Sequence, residues 1–298
     1  MKNIINKFYK KYSVPERWID FRGQQASDII EIGLKSNKPF MVARLGGVEL
    51  DAMIRIKKYS NKYLNIFGQN KRNNAFLALQ NNAGFFPIDD EMLQKFYTMM
   101  YSDLHKVDIF GSWRRREAYF NEALYNSIKI PLEDIEPYYH VRPWSSVLTG
   151  KKVLIIHPFS ESIKKQYLKK EYLFKNKDIL PEFELITLKA VQTITGLNSG
   201  FNNWFEALDS MKAEICNINF DIAILGCGAY GFPLAAFIKD IGKKAIHMGG
   251  ATQILFGIKG KRWENNPRIA CLMNNYWIRP EQSETPEHAL TIENGCYW

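Results

Sequence analysis

The stretch that decides the fold is FDIAILGCGAYGFPLAAFIKDIGKKAIHMGG, which occupies residues 220–250. Residues 220–226 form a nearly continuous apolar run, residues 232–241 have the apolar spacing of a helix, and residues 244–248 form a second apolar run. A strand, a helix and a strand in this order favour a right-handed crossover between two parallel strands. Because the apolar runs are nearly continuous, we expect helices on both faces of these strands.

The same alternation extends through the rest of the chain. The predicted strands are residues 39–45, 106–111, 152–157 and 184–190. The predicted helices are residues 49–58, 72–103 with an interruption near 84–87, 161–174 and 201–217. This pattern predicts an α/β fold with a Rossmann-like parallel sheet flanked by helices.

The chain has a boundary candidate in its proline-rich and aromatic-rich residues 131–146. It divides an N-terminal α/β part, residues 1–150, from a C-terminal Rossmann-like part, residues 151–298, although one continuous domain is equally compatible with the pattern. We expect a helical N-terminal segment and an ordered C-terminal tail, in which Arg279 and Glu284 could close over a cleft.

The charge balance points to an anionic partner, because 40 Lys and Arg residues face 31 Asp and Glu residues, a net charge of +9. Nucleic acid is not the expected partner, since the sequence has no zinc-finger spacing and no RNA-recognition signature. Four dispersed cysteines fit a reducing compartment.

No apolar stretch of about 18 residues and no export signal is present, so we expect a cytoplasmic protein. Apolar residues at positions 4, 5, 8 and 12, with lysines nearby, leave open a peripheral contact with the inner membrane face. The alternative for this stripe is packing against its own domain.

Ligands of open parallel sheets bind beyond the carboxyl ends of the strands, where glycine turns expose backbone N–H groups. The candidate substrate-binding residues near such ends are Arg44, Gly46, Gly47, Ser160, Gly226, Gly228, Tyr230, Gly249, Gly250, Gln253 and Arg262. The candidate catalytic residues are Glu49, His157 and His247. The glycines of residues 226–231 match GxGxxG, but they follow a late strand, which argues against a nicotinamide site.

Each histidine could act as a general base or hold its turn structurally. We expect His247 to stay neutral because a helix N-terminus should follow it. Asp51 stands two residues after Glu49, so on a helix it should point elsewhere. The run Arg114-Arg115-Arg116 is interpreted as a solvated face.

Residues 44–50, Arg-Leu-Gly-Gly-Val-Glu-Leu, resemble the RxGDGE motif that follows the first strand of bacterial GT-D-fold glycosyltransferases. The order of residues 152–157, 220–228 and 244–250 is similar to later strands of that family, so the resemblance covers about residues 25–264. It implies a nucleoside-diphosphate sugar donor and, as acceptor, a growing surface glycan or lipid-linked glycan of a capsule, O-antigen or glycoprotein.

The chain departs from the motif at Gly47, where the family has an aspartate that serves a divalent cation. Only Glu49 carries over, and one carboxylate is a poor site for Mg²⁺ or Mn²⁺. Arg44 or Arg262 could neutralise the diphosphate instead. The alternatives are a methyl or pyruvyl transferase acting on glycans, and a non-catalytic subunit of a polysaccharide-assembly complex. Motifs of serine hydrolases, P-loop enzymes, zincins and protein kinases are absent from the sequence.

Overall fold

The computed structural model describes residues 14–59, 69–193, 200–286 and 295–298. It has an α/β fold in which helices flank a seven-stranded parallel sheet, so the predicted Rossmann-like architecture is confirmed. The N-terminal stripe at positions 4 to 12 lies outside the described residues.

The strands are β1 Phe40–Ala43, β2 Ile109–Ser112, β3 Ile128–Pro131, β4 Lys152–His157, β5 Glu184–Lys189, β6 Ile222–Leu225 and β7 Lys244–His247. They are ordered β3-β2-β1-β7-β6-β4-β5 in the sheet. β1 pairs in parallel with β7, with Val42 opposite Ile246. Strands from before and after residue 150 therefore belong to one sheet.

The helices are α1 Gln24–Lys35, α2 Gly47–Tyr59, α3 Gln69–Ala83, α4 Asp90–Leu104, α5 Ser160–Tyr167, α6 Lys170–Leu173, α7 Trp204–Cys216, α8 Gly231–Asp240, α9 Thr252–Leu255, α10 Lys261–Glu264 and α11 Pro267–Ala270. The predicted helix over residues 161–174 is confirmed in part: the chain turns between α5 and α6, which divides the helix in two, and Leu173 of α6 lies in the core. α4 begins where the sequence indicates, since the Asp89 side chain accepts a hydrogen bond from the Met92 N–H at 2.8 Å.

The core has two layers, one on each face of the sheet. On β4, Leu154 and Ile156 face one layer, whereas Val153 and Ile155 face the other. The first layer includes residues of α2, α3, α4, α7 and α8, and the second includes residues of α1, α5, α6 and α9. Burial on both faces explains why the strands read as continuous apolar runs.

Within the described ranges, none of the helices combines the length and the apolar character needed to span a membrane.

Candidate functional site

The carboxyl ends of β1, β2, β4, β6 and β7 open into a cavity of about 890 Å³. The strands β1 and β7 are neighbours in the sheet, and the cavity lies at their carboxyl ends. From this point the strand order runs outward to β2 on one side and to β6 on the other. Such a switch point is the ligand-binding position of open α/β sheets. The predicted residues that line it are Arg44, Gly46, Gly47, Glu49, His157, Gly226, Gly228, Tyr230, His247, Gly249, Gly250, Gln253 and Arg262. Ser160 does not line it, because it is buried at the start of α5.

The turn between β1 and α2 fixes the position of Glu49. The Leu50 N–H donates to the Gly46 carbonyl at 2.9 Å, which closes the first turn of the helix. A Cβ atom on Gly46 would lie 1.8 Å from the Glu49 Oε2. The carboxylate therefore folds back over Gly46, and only glycine leaves it that space.

Arg44 brings a positive charge to the same turn. Its Nε is buried and has no hydrogen-bond partner among the described residues. Its guanidinium carbon lies 5.3 Å from the centroid of the Trp113 ring, and its Nη1 lies 3.6 Å from the place that a Gly249 Cβ would take. Leaving a buried donor without a partner is costly.

The cavity lining is rich in arginine. Among the described residues it includes Arg44, Arg55, Arg114, Arg116 and Arg262, but only two acidic side chains, Glu49 and Asp51. The run of residues 114–116 is solvated as interpreted, since Arg114 and Arg115 are exposed and Arg116 is half-exposed, but Arg114 and Arg116 also line the cavity, whereas Arg115 does not.

Glu117 fixes the backbone from which this run of arginines extends. Its buried carboxylate accepts hydrogen bonds from the Ser112 hydroxyl and from the N–H groups of Trp113 and Arg114. The chain after β2 is thereby held in a tight turn. Burial raises the pKa of Glu117 to about 7.

Asp51 also lines the cavity, contrary to the expectation that it points elsewhere. The cavity extends along the first two turns of α2, from Gly47 to Arg55, so adjacent faces of that helix both reach it. The Asp51 carboxylate forms an ion pair with Arg116.

His157 is buried, and this burial lowers its pKa to about 3. Its Nδ1 accepts a hydrogen bond from the Phe159 N–H at 3.0 Å. His157 is therefore neutral near pH 7, and one of its ring nitrogens holds the turn after β4.

His247 has its pKa lowered to about 3 by burial and, secondarily, by the charge of Arg44. The expected neutral state has this cause rather than a helix N-terminus, because a short 3₁₀ turn, Gly249–Ala251, follows the strand. Its buried Nδ1 has no partner among the described residues, and a Cβ on Gly231 would lie 2.3 Å from its Cε1. Both histidines are weak bases at this pKa, but each can offer or accept a hydrogen bond.

Tyr230 and Gln253 line the cavity but are engaged elsewhere. The Tyr230 ring stacks on Trp204 with centroids 4.8 Å apart, and its hydroxyl lies 2.9 Å from the Thr193 hydroxyl. The Gln253 amide Nε2 donates to three backbone carbonyls, including that of Tyr297 at 3.2 Å. These two residues support the walls of the cleft.

The glycines after β6 and β7 permit close approach of the strand ends. A Cβ on Gly226 would lie 2.6 Å from the Gly249 carbonyl oxygen, and one on Gly250 would lie 2.6 Å from the Tyr297 ring. Gly228 has a φ of +58°, which favours glycine.

The described end of the chain, residues 295–298, forms one wall. Tyr297 and Trp298 line the cavity, and the Arg262 Nη1 donates to the Tyr297 hydroxyl at 3.3 Å. From the sequence, these two aromatic residues were expected only to belong to an ordered C-terminal tail.

Arg279 and Glu284 do not line the cavity, contrary to expectation. Arg279 forms an ion pair with Glu264 at 2.6 Å. The buried Glu284 carboxylate accepts a hydrogen bond from the Glu161 N–H at 2.7 Å and caps the start of α5. Glu284 therefore stabilises the N-terminus of α5, where a negative charge is favourable.

The cleft is a poor fit for a divalent cation. Gly47 offers no ligand, and the carboxylate of Asp51 is taken by Arg116. Across the part of the chain that the structure describes, no group of three or more His, Cys, Asp or Glu residues is arranged to hold a metal ion.

Comparison of the chain with protein-family models, curated proteins and solved structures found no match. A proposal for the function of the protein therefore rests on the chemistry of the cleft.

Proposed function

We propose that the protein is a glycosyltransferase that moves a sugar from a nucleoside-diphosphate donor to a growing surface glycan. The observation that carries the proposal is the β1–α2 turn, which places Arg44, whose buried Nε has no partner among the described residues, and the Glu49 carboxylate on the lining of one cavity at the carboxyl edge of the sheet. One turn thus offers both a cation for an anionic leaving group and a carboxylate for a proton.

The donor diphosphate is proposed to lie against Arg44 and the N-terminus of α2. The first backbone N–H groups of that helix have no partners within the helix and favour an anion. Arg262, which lines the same cavity and donates to the Tyr297 hydroxyl, supplies further positive charge.

Glu49 is proposed to take the proton of the acceptor hydroxyl. As the acceptor oxygen bonds to the anomeric carbon, the bond from that carbon to the diphosphate oxygen breaks, and the electron pair leaves with the diphosphate. The two histidines stay neutral and orient hydroxyl groups, because their lowered pKa makes them weak bases.

The reaction is proposed to take place in the cytoplasm, with a surface glycan or lipid-linked glycan as acceptor. The four cysteines form no disulfide in the structure, which supports a reducing compartment.

The test of this function is sugar transfer by Glu49→Gln. Loss of the base should lower turnover by about 10²- to 10⁴-fold, while calorimetric affinity for the nucleotide stays near that of the original chain. Glu122→Gln is the matched control, since Glu122 is exposed and lies outside the cavity. Unchanged turnover in Glu49→Gln would remove the base from the mechanism.

We expect transfer to survive EDTA, because the carboxylates of the cleft do not fit a divalent cation. Complete loss of transfer, restored by Mn²⁺, would show that other groups build a metal site. A thermal shift with S-adenosylmethionine and none with nucleoside diphosphates would instead favour a methyltransferase.

A further inference from the structure

A second guanidinium lies beside the β1–α2 turn. The Arg114 guanidinium carbon is 4.1 Å from the centroid of the Trp113 ring, and its Nη2 is 3.3 Å from the place that a Gly47 Cβ would take. Trp113 fills the same space, with its Cη2 3.2 Å from that point. A protein cation therefore adjoins the first residue of α2.

Trp113 is the common contact of Arg44 and Arg114, whose guanidinium carbons both lie within 6 Å of its ring centroid. The indole is fixed by a hydrogen bond from its Nε1 to the Leu45 carbonyl at 3.0 Å. The backbone of Trp113 and Arg114 is fixed by the Glu117 carboxylate, which accepts hydrogen bonds from the N–H groups of both residues. Stacking on a fixed ring positions a guanidinium before any ligand binds.

Neither guanidinium forms a direct ion pair within the described part of the chain. No described carboxylate forms an ion pair with Arg44 or Arg114, whereas the neighbouring Arg116 is paired with Asp51. Two guanidiniums without a direct ion-pair partner match the charge of a diphosphate better than that of a single carboxylate or monophosphate, and arginine binds phosphate oxygens in bidentate fashion.

We propose that Arg44, Trp113 and Arg114 form a clamp for the donor diphosphate, which neutralises it without a metal ion. This inference rests on the proposed function and adds Arg114 and Trp113 to its binding residues. The clamp selects nucleoside diphosphates over monophosphates, because a diphosphate offers one phosphoryl group to each guanidinium.

The test is calorimetric titration with UDP and UMP in the presence of EDTA. Arg114→Gln should weaken UDP binding by about tenfold, as expected for the loss of one charge-assisted hydrogen bond, and should weaken UMP binding less. Arg114→Lys keeps the charge without the planar group, so its affinity for UDP should lie between that of the original chain and that of Arg114→Gln. The matched control is Arg115→Gln, since Arg115 is exposed in the same run but does not line the cavity.

An unchanged ratio of UDP to UMP affinity in Arg114→Gln would overturn the clamp. So would UDP binding that disappears in EDTA and returns with Mn²⁺. If UDP, GDP, CDP and dTDP all fail to bind, the proposed function fails, and inorganic pyrophosphate becomes the probe. Pyrophosphate binding that depends on Arg114 would then support the clamp by itself, and its absence would overturn it.

Discussion

Arg44 is the residue on which the account of the cleft depends most. Its buried Nε has no partner among the described residues, and its charge contributes to the lowered pKa of His247. We expect Arg44→Ala to weaken nucleotide binding by about 1–3 kcal/mol, the range for a hydrogen bond to a charged group. The measurement is calorimetry on the folded variant, with Arg115→Ala as control. Unchanged affinity would place the nucleotide elsewhere.

His157 makes a prediction about the pH dependence of stability. Its pKa is about 3 in the folded chain, below the ordinary value of about 6.5, so between these values the unfolded chain binds a proton that the folded chain does not. Its contribution to stability is complete above about pH 6.5 and is lost as the pH falls toward 3, at about 1.4 kcal/mol per pH unit.

His157→Gln removes this contribution and keeps an acceptor for the Phe159 N–H. Urea unfolding at pH 7, 6 and 5 should therefore show the original chain losing stability relative to the variant as the pH falls. Comparing the two chains cancels the opposite contribution of Glu117, whose pKa is raised to about 7. A constant difference across these pH values would contradict burial of a neutral imidazole.

At the scale of elements, the β1–α2 turn makes a sharp prediction at Gly46. An alanine Cβ there would fall 1.8 Å from the Glu49 carboxylate oxygen, so Gly46→Ala must displace that carboxylate. We expect turnover to fall about as far as in Glu49→Gln, by about 10²-fold or more, with a smaller change in nucleotide affinity. Gly242→Ala tests general strain from glycine replacement, since Gly242 has a φ of +82° and lies outside the cavity. Normal turnover in the folded Gly46→Ala variant would show that the position of the Glu49 carboxylate does not matter for catalysis.

The cap of α5 is a prediction about stability rather than activity. Glu284 accepts from the Glu161 N–H and from the Ser162 hydroxyl, and Glu284→Ala would leave these donors without their acceptor. The free energy of unfolding should fall by about 1–3 kcal/mol, measured by urea denaturation. The exposed Gln282 provides the control Gln282→Ala. Equal stability of the two variants would refute the capping role.

At the scale of the whole molecule, the strands that the sequence predicts well are those buried on both faces, such as β4 and β6. β3 was not predicted, because Ile128-Lys-Ile-Pro131 has two apolar residues and ends in proline. It is a strand because it pairs with β2, where Ile130 lies opposite Gly111. Such pairing is tertiary information that a local pattern does not contain.

The candidate site was predictable to the extent that it follows the ends of strands. Arg44 and His247 lie at the ends of apolar runs and Glu49 follows the Gly46-Gly47 turn, and the structure brings the three residues to one cavity. Arg114 and Arg116 were missed because a run of three arginines normally indicates a solvated face. The turn fixed by Glu117 places Arg114 and Arg116 on the lining of the cavity, which a local pattern does not show.

The central claim is that the cleft at the carboxyl edge of the sheet binds a nucleoside-diphosphate sugar. The most direct measurement is a calorimetric titration of the chain with a panel of such sugars in EDTA, repeated with Arg44→Ala. We expect at least one sugar nucleotide of the panel to bind with one site per chain, and we expect Arg44→Ala to weaken this binding by about tenfold or more. Binding of no member of the panel by the folded chain, or equal binding by Arg44→Ala, would contradict it.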